Sequence, residues 1–217
     1  MRVTLVALIA ALIAVSALTV GCGGGDGNGS STSYLPMEIG NTWTYTLTLA
    51  PGLTPEQITD GLVFPYHETV IGVADLQGTR YHVIRARREA VGQYPERTWQ
   101  QYRRVTAQAI YARVGDPAYD LPILKLPPAA GETWTDPQFP EVAYRTAATA
   151  EQVTVPAGTF ACVRVEQQSE TVPNEGESPV QFTVRSWYAR GVGVVRDETL
   201  EDGELTSTLE LESYSVQ

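Results

Sequence analysis

The chain has 217 residues, 43% of them hydrophobic, with 25 acidic against 15 basic side chains and a net charge of −10. That acidity argues against a nucleic-acid binder, which needs clustered cations to displace counterions. Two histidines in the whole chain leave little basis for a multi-histidine metal centre or a histidine-based triad. The length beyond the N-terminal leader suits one ordinary domain with a sizeable core.

The first stretch is apolar. Arg2 is followed by VTLVALIAALIAVSALTV and then Gly21-Cys22. A run of this length could cross a bilayer, but its place at the start and its small-residue end read as a secretory leader over residues 1–21. The ending LTVGC resembles the bacterial lipobox, with Leu18 one place further from the cysteine than usual and Thr19 where leucine is typical. The expectation is a diacylated Cys22 that anchors the mature chain to a membrane. Acyl chains contribute ~0.8 kcal/mol per buried methylene, so two or three hold firmly. GGGDGNGSSTS follows; it has nothing to bury and reads as a slack tether through residue 33. Residues 34–217 are expected to form a single β domain outside the cytoplasm, on the periplasmic face of an outer membrane or at the cell surface.

Within that domain apolar residues recur with period two, and Pro and Gly are too frequent for helices. Successive runs close in turns at Asp75-Leu76-Gln77-Gly78, Thr106-Ala107, Pro156-Ala157-Gly158, Arg190-Gly191 and Glu201-Asp202-Gly203. About ten strands in consecutive hairpins predict an all-β fold, one large curved antiparallel sheet. A sheet that wide twists and curls into a half-barrel or a folded-over meander. In the last strand Leu205, Leu209 and Leu211 share one face.

One phrase occurs twice. LPMEIGNTWT (Leu35 to Thr44) returns as LPPAAGETWT (Leu126 to Thr135). Leu-Pro is held extended, Gly turns the chain, and Thr-Trp-Thr starts a strand whose Trp points inward. The phrase divides the domain into near-equal halves, 35–125 and 126–217. These are either duplicated half-sheets or two matching lead-ins to one sheet.

VPAGTFACVRV (Val155 to Val165) and WYARGVGVV (Trp187 to Val195), together with the lead-in Pro36 to Tyr45, resemble a class of uncharacterised bacterial lipoproteins. Members carry P-x-x-x-G-N-x-W-x-Y, VPAGTF-x-C and WYA-x-GVG-x-V. The resemblance implies a curved antiparallel sheet, loosely similar to half-barrel periplasmic lipoprotein carriers, and brings no catalytic residues with it.

Candidate chemistry is sparse. If the hairpin turns at Leu76-Gln77, His67 faces Ala86 and His82 faces Ile71, both on one face and roughly 13 Å apart, too far to share a zinc ion. DETLEDGE, with Asp197, Glu198, Glu201, Asp202 and Glu204, has oxygen ligands that calcium accepts. It lacks the spacing of a dedicated loop and reads as a solvated hairpin tip. Cys162 in an alternating apolar run reads as a small buried hydrophobe. From Arg80 to Arg113 there are eight arginines against Glu89 and Glu96, whereas Asp197 to Glu212 holds seven acids and no base. Arg85 is expected near Arg103, a like-charge pair that needs compensation from the acidic C-terminal strands, solvent or an anionic partner.

These observations predict a non-catalytic, lipid-anchored envelope protein, with no cofactor, metal or nucleic acid. Its sheet would bind an apolar, amphiphilic or anionic ligand through Arg85, Arg87, Arg103 and Trp99. The alternatives are an interaction scaffold in an envelope complex and a hydrolase acting through paired Asp/Glu.

Overall fold

The computed structural model describes residues 33–51, 61–115, 118–171 and 178–217. Cys22, the leader and the tether up to residue 32 lie outside them. Twelve strands make up the described fold: β1 (Thr42–Leu49), β2 (Leu62–Leu76), β3 (Thr79–Arg88), β4 (Arg97–Val105), β5 (Ala109–Val114), β6 (Tyr119–Lys125), β7 (Thr133–Asp136), β8 (Phe139–Val155), β9 (Gly158–Glu170), β10 (Gln181–Ala189), β11 (Gly193–Glu201) and β12 (Glu204–Ser215). They form a single sheet in the order β6-β5-β4-β3-β2-β1-β12-β11-β10-β9-β8-β7, every pair antiparallel. The expected fold class holds, with twelve strands where about ten were predicted.

The order itself requires curvature. Two six-stranded meanders, β1–β6 and β7–β12, join along the β1/β12 ladder, which runs from Thr42↔Ser215 to Leu49↔Ser207. The outer edges, β6 and β7, are consecutive in sequence and linked only by residues 126–132. Laid flat, twelve strands would hold their edges roughly 50 Å apart at ~4.8 Å per strand, beyond the ~25 Å that the link can span. The sheet therefore wraps into a nearly closed barrel.

The β6/β7 edges do not form a ladder. Side chains close this seam: Trp134 Nε1 donates to the Pro122 carbonyl at 2.7 Å, Lys125 pairs with Glu132 at 3.1 Å, and the Tyr119 and Phe139 rings stack at 4.4 Å. Pro122 cannot donate to a ladder, which suits it to an edge strand, and a four-residue β7 offers little edge to pair with.

The two lead-ins adopt one geometry. Gly40 and Gly131 both have positive φ, +99° and +83°, which a β-carbon would disfavour. Gly40 N donates to Val70 O and Gly131 N to Thr146 O, while Val70 N and Thr146 N donate back to Asn41 O and Glu132 O. Each Trp then reaches across to the opposite half. Trp43 Nε1 donates to Val192 O at 2.6 Å, and Trp134 to Pro122 as above.

Alternate residues of each strand point inward and fill most of the lumen. Trp43, Tyr45, Tyr66, Val70, Ile84, Ile110, Leu124, Trp134, Tyr144, Val163, Val165 and Leu211 belong to one buried cluster. Leu209 shares that face with Leu211, whereas a bulge between Thr199 and Leu200 breaks the alternation before Leu205, which pairs with Leu200 and is 48% exposed. At the end where the chain enters, Leu35 and Met37 are buried and the Ser33 carbonyl accepts from Gly191 N. The β8–β9 hairpin, carrying VPAGTF, leans across the shorter β10–β11 hairpin to β12, where Ala157 N donates to Leu211 O at 3.0 Å.

Two pairings differ from expectation. A bulge between Val70 and Gly72 shifts the β2/β3 register, so His67 faces Arg87 and His82 faces Val73. The extra residue reverses which side chains face inward, and the histidines end on opposite faces. Arg85 faces Gln100 while Arg103 faces His82, which separates the two arginines to opposite sides of the sheet.

Candidate functional site

The lumen holds charged groups. Glu68 is opposite Trp43, Arg103 is opposite His82, and Asp197 is opposite Leu209 on one side and Ser186 on the other. All lie on the inward face. A chain of hydrogen bonds connects part of this set. Arg103 Nη2 donates to Gln101 Oε1 at 2.8 Å, Gln101 Nε2 donates to Tyr66 Oη at 3.0 Å, and Tyr66 Oη donates to Glu68 Oε1 at 2.8 Å. Ser186 hydrogen-bonds with both Asp197 and Tyr188.

Burial sets the protonation of these groups. It pushes the Asp197 carboxyl up to about 7, against the Ser186 hydrogen bond that favours the charged form; the nearby Glu68 raises it further and Arg103 lowers it. Burial also raises Glu68, with Arg103, Tyr66 and Gln101 opposing. The phenols of Tyr45 and Tyr66 are raised well above the ordinary value, first by burial and then by Glu68. Glu68 and Asp197 are surrounded by protein yet retain some accessible surface.

Beside these groups, and lined by neither Glu68 nor Asp197, is a cavity of about 50 Å³ bounded by Ile123, Tyr144, Val165, Gln167, Val184, Ser186 and Tyr188. It lies directly behind the seam, for Ile123 is on β6 and Tyr144 stacks on the β7 residue Trp134 at 5.4 Å with rings 6° from parallel. Several inward polar atoms are buried without a hydrogen-bond partner: Asp197 Oδ1, Tyr144 Oη, Thr146 Oγ1, Trp99 Nε1 and His82 Nδ1. Buried polar groups are ordinarily satisfied by protein or water; of these atoms only Tyr144 Oη is on the cavity wall, where a polar guest or solvent would satisfy it.

The residues singled out from sequence divide between the faces. Trp99 is inward, its ring 5.7 Å from that of Tyr66, and Arg103 is inward in the polar chain. Arg85 and Arg87 are outward. Arg87 pairs with Glu89 at 2.6 Å and Glu96 at 3.3 Å, and Arg85 forms no ion pair among the described residues. The four do not form one site. On the outer face β8–β12 carry alternating charges, with Glu166 near Arg145, Arg164 and Arg185, and Glu198 near Arg185 and Arg196. Trp187 sits outward, with the Arg164 and Arg196 guanidinium groups 6.0 and 5.6 Å from its ring. The acidic strands are thus paired with their own arginines, and the β4–β5 arginines Arg104 and Arg113 with Asp120. Asp197 is not at the hairpin tip, which is confined to Glu201–Glu204. Cys162 is buried, its thiol raised to about 11 by burial and then by Glu151, and packs as a small hydrophobe.

Sequence reasoning missed Glu68 and Asp197. The signal was present in the alternation: Glu68 lies between Tyr66 and Val70, and Asp197 two residues after Val195, in the inward phase of each strand.

Comparison with known proteins bears on the fold. Residues 130–211 match the DUF3108-like family. The matched span runs from the second lead-in through most of β12, the second six-stranded meander. No curated protein matches the sequence. Two solved structures share the architecture. One, from Bacteroides fragilis NCTC 9343, is named as an exported protein with a YmcC-like fold; it has 17% identity and a TM-score of 0.55 over 83% of this chain and 98% of its own. The other, from Parabacteroides distasonis ATCC 8503, is named as a lipoprotein, with 15% identity and a TM-score of 0.56 over 85% of this chain and 99% of its own. At these identities the likeness is one of fold.

Proposed function

We propose that this chain is a non-catalytic, lipid-anchored envelope protein whose barrel receives the polar head of an amphiphilic ligand, the apolar part leaving through the β6/β7 seam. One observation carries the reading: a small cavity with the unpartnered Tyr144 hydroxyl on its wall lies behind the only junction of the described barrel that no backbone ladder closes. The cavity is far smaller than the several hundred Å³ of an enclosed small-molecule site. It suits a head group of a few heavy atoms, with the remainder outside.

The anchoring half of the proposal is supported by the leader, by Cys22 and its tether, and by the exported and lipoprotein names of the two structural neighbours. A hydrolase would require paired carboxyls lining its substrate site, and the cavity behind the seam is lined by neither Glu68 nor Asp197. Native mass spectrometry of the protein purified from membranes tests the binding half. A bound species of defined mass, lost on solvent extraction, is expected; a spectrum showing only the acylated chain would refute it.

A further inference from the structure

The side chains on the cavity wall name the kind of head group that it takes. We infer that the cavity behind the seam binds an uncharged, hydroxyl-bearing head group, a vicinal diol of the kind that ends an acylglycerol, through Tyr144 Oη. This inference rests on the binding reading above and names the ligand class for the same site.

Three neighbouring strands build most of the wall. Across β8, β9 and β10, Tyr144 faces Gln167 and Gln167 faces Val184, while the next inward row pairs Val165 with Ser186. Ile123 of β6 and Tyr188 of β10 complete it. Its polar side chains, Tyr144, Gln167, Ser186 and Tyr188, are all uncharged and can each donate and accept. Among the described residues no charged side chain lines the cavity; Glu68, Arg103 and Asp197 occupy other inward positions. A charged head of either sign would therefore enter without a counter-charge on the wall, and a buried unpaired charge is costly. A wholly apolar end would leave the Tyr144 hydroxyl buried with nothing to bond, which is also costly. A hydroxyl both donates and accepts. It satisfies Tyr144 Oη whichever way the phenol proton points, and it brings no charge with it.

Size narrows the class. A cavity of about 50 Å³ holds about three or four water-sized groups, at roughly 10–15 Å³ each. The end of a vicinal diol, two carbons and two oxygens, is of that size, and a sugar ring exceeds it. Tyr144 is fixed to meet such a guest, because its ring stacks on Trp134 at 5.4 Å and the residue is 2% exposed. The same stack joins the site to the seam, where the apolar remainder of the ligand leaves.

The test uses the full chain purified from membranes in detergent. Butane-1,2-diol, n-butylammonium and butyrate serve as probes of matched length, followed by saturation-transfer NMR and by melting temperature. The diol is expected to bind saturably and to raise the melting temperature, and the two ions to do neither. Tyr144→Phe removes only a hydroxyl that has no partner in the protein. Its ligand-free melting temperature should stay close to wild type while diol affinity falls about fivefold, the equivalent of one hydrogen bond. Val184→Phe, which fills the cavity from its wall, should abolish diol binding. Equal or stronger binding of either ion, or diol affinity unchanged in Tyr144→Phe, overturns the hydroxyl assignment and leaves the luminal reading standing. No response to any probe means that the cavity holds water alone and overturns the assignment too; the luminal reading falls with it only if mass spectrometry also finds no bound amphiphile.

Discussion

Asp197 couples the folded state to pH. Its carboxyl is raised to about 7 from an ordinary 3.8, so between those values the folded chain holds a proton that the unfolded chain has released. By linkage, the stability this provides is fully present below the unfolded value and is lost as pH rises through the folded one. Glu68 is shifted in the same direction. Replacing Asp197 by Asn removes one of these slopes without altering shape. The expected result is a variant close to wild type in urea midpoint at pH 4 but more stable at pH 8, by on the order of a few kcal/mol. Taking the difference between the two proteins cancels the surface carboxylates, whose titration they share. Parallel pH profiles would show that Asp197 is charged and satisfied in the fold.

The seam is where the elements of the fold are most weakly joined. Strands β6 and β7 each have a ladder on one side only, and side-chain contacts alone span the gap between them, Lys125 over the Trp134 ring at 5.8 Å included. The Lys125–Glu132 pair is about one-third exposed on each side and contributes little. Trp134 contributes more, through a 2.7 Å hydrogen bond to Pro122 and a parallel stack on Tyr144. Trp134→Phe keeps most of the packing and should cost about 1 kcal/mol for the lost hydrogen bond. It should also raise amide exchange in residues 119–136 well above that in β1 and β12, which are laddered on both sides. Uniform exchange across the barrel would mean that the seam is as firm as a ladder.

Why this seam was not legible in the sequence is physical. Period-two patterning and turn residues gave the hairpins at Gly78, Ala107, Gly158 and Gly203, because those signals are local. β6 carries Pro122, which argues against a central strand, and β7 has only four residues, so neither stood out. Edge status depends on which strands meet after the chain has closed, and that is a long-range property. The same holds for Glu68 and Asp197. Their inward phase is visible locally, but the bulges between Val70 and Gly72 and between Trp187 and Tyr188 decide which face each strand presents beyond them. One inserted residue moved His82 away from the partner that a regular register would give, whereas Arg103 is placed by the β3/β4 register, which has no bulge.

At the scale of the whole molecule the chain behaves as two meanders held by their central strands. The repeated lead-in explains the arrangement. In each half a positive-φ glycine turns the backbone and a tryptophan leaves its own meander to donate to a carbonyl of the other, Trp43 to Val192 and Trp134 to Pro122. The halves are therefore mutually dependent. The β1/β12 ladder, the shared core and these two crossing tryptophans hold them together, and the 126–132 link only limits how far the seam can part. Cutting that link at an inserted protease site should leave a folded barrel in which residues up to 125 and residues from 133 co-elute on gel filtration. Its melting temperature should then fall on dilution, because association has become bimolecular. Deleting Glu204–Ser215 instead removes the strand that carries Leu209 and Leu211 against Tyr45 and Leu47, and no folded product is expected. Fragments that separate after the cut while each keeps a cooperative transition would mean two independent domains. That outcome would contradict the continuous core from which the barrel, its seam and its luminal site all follow.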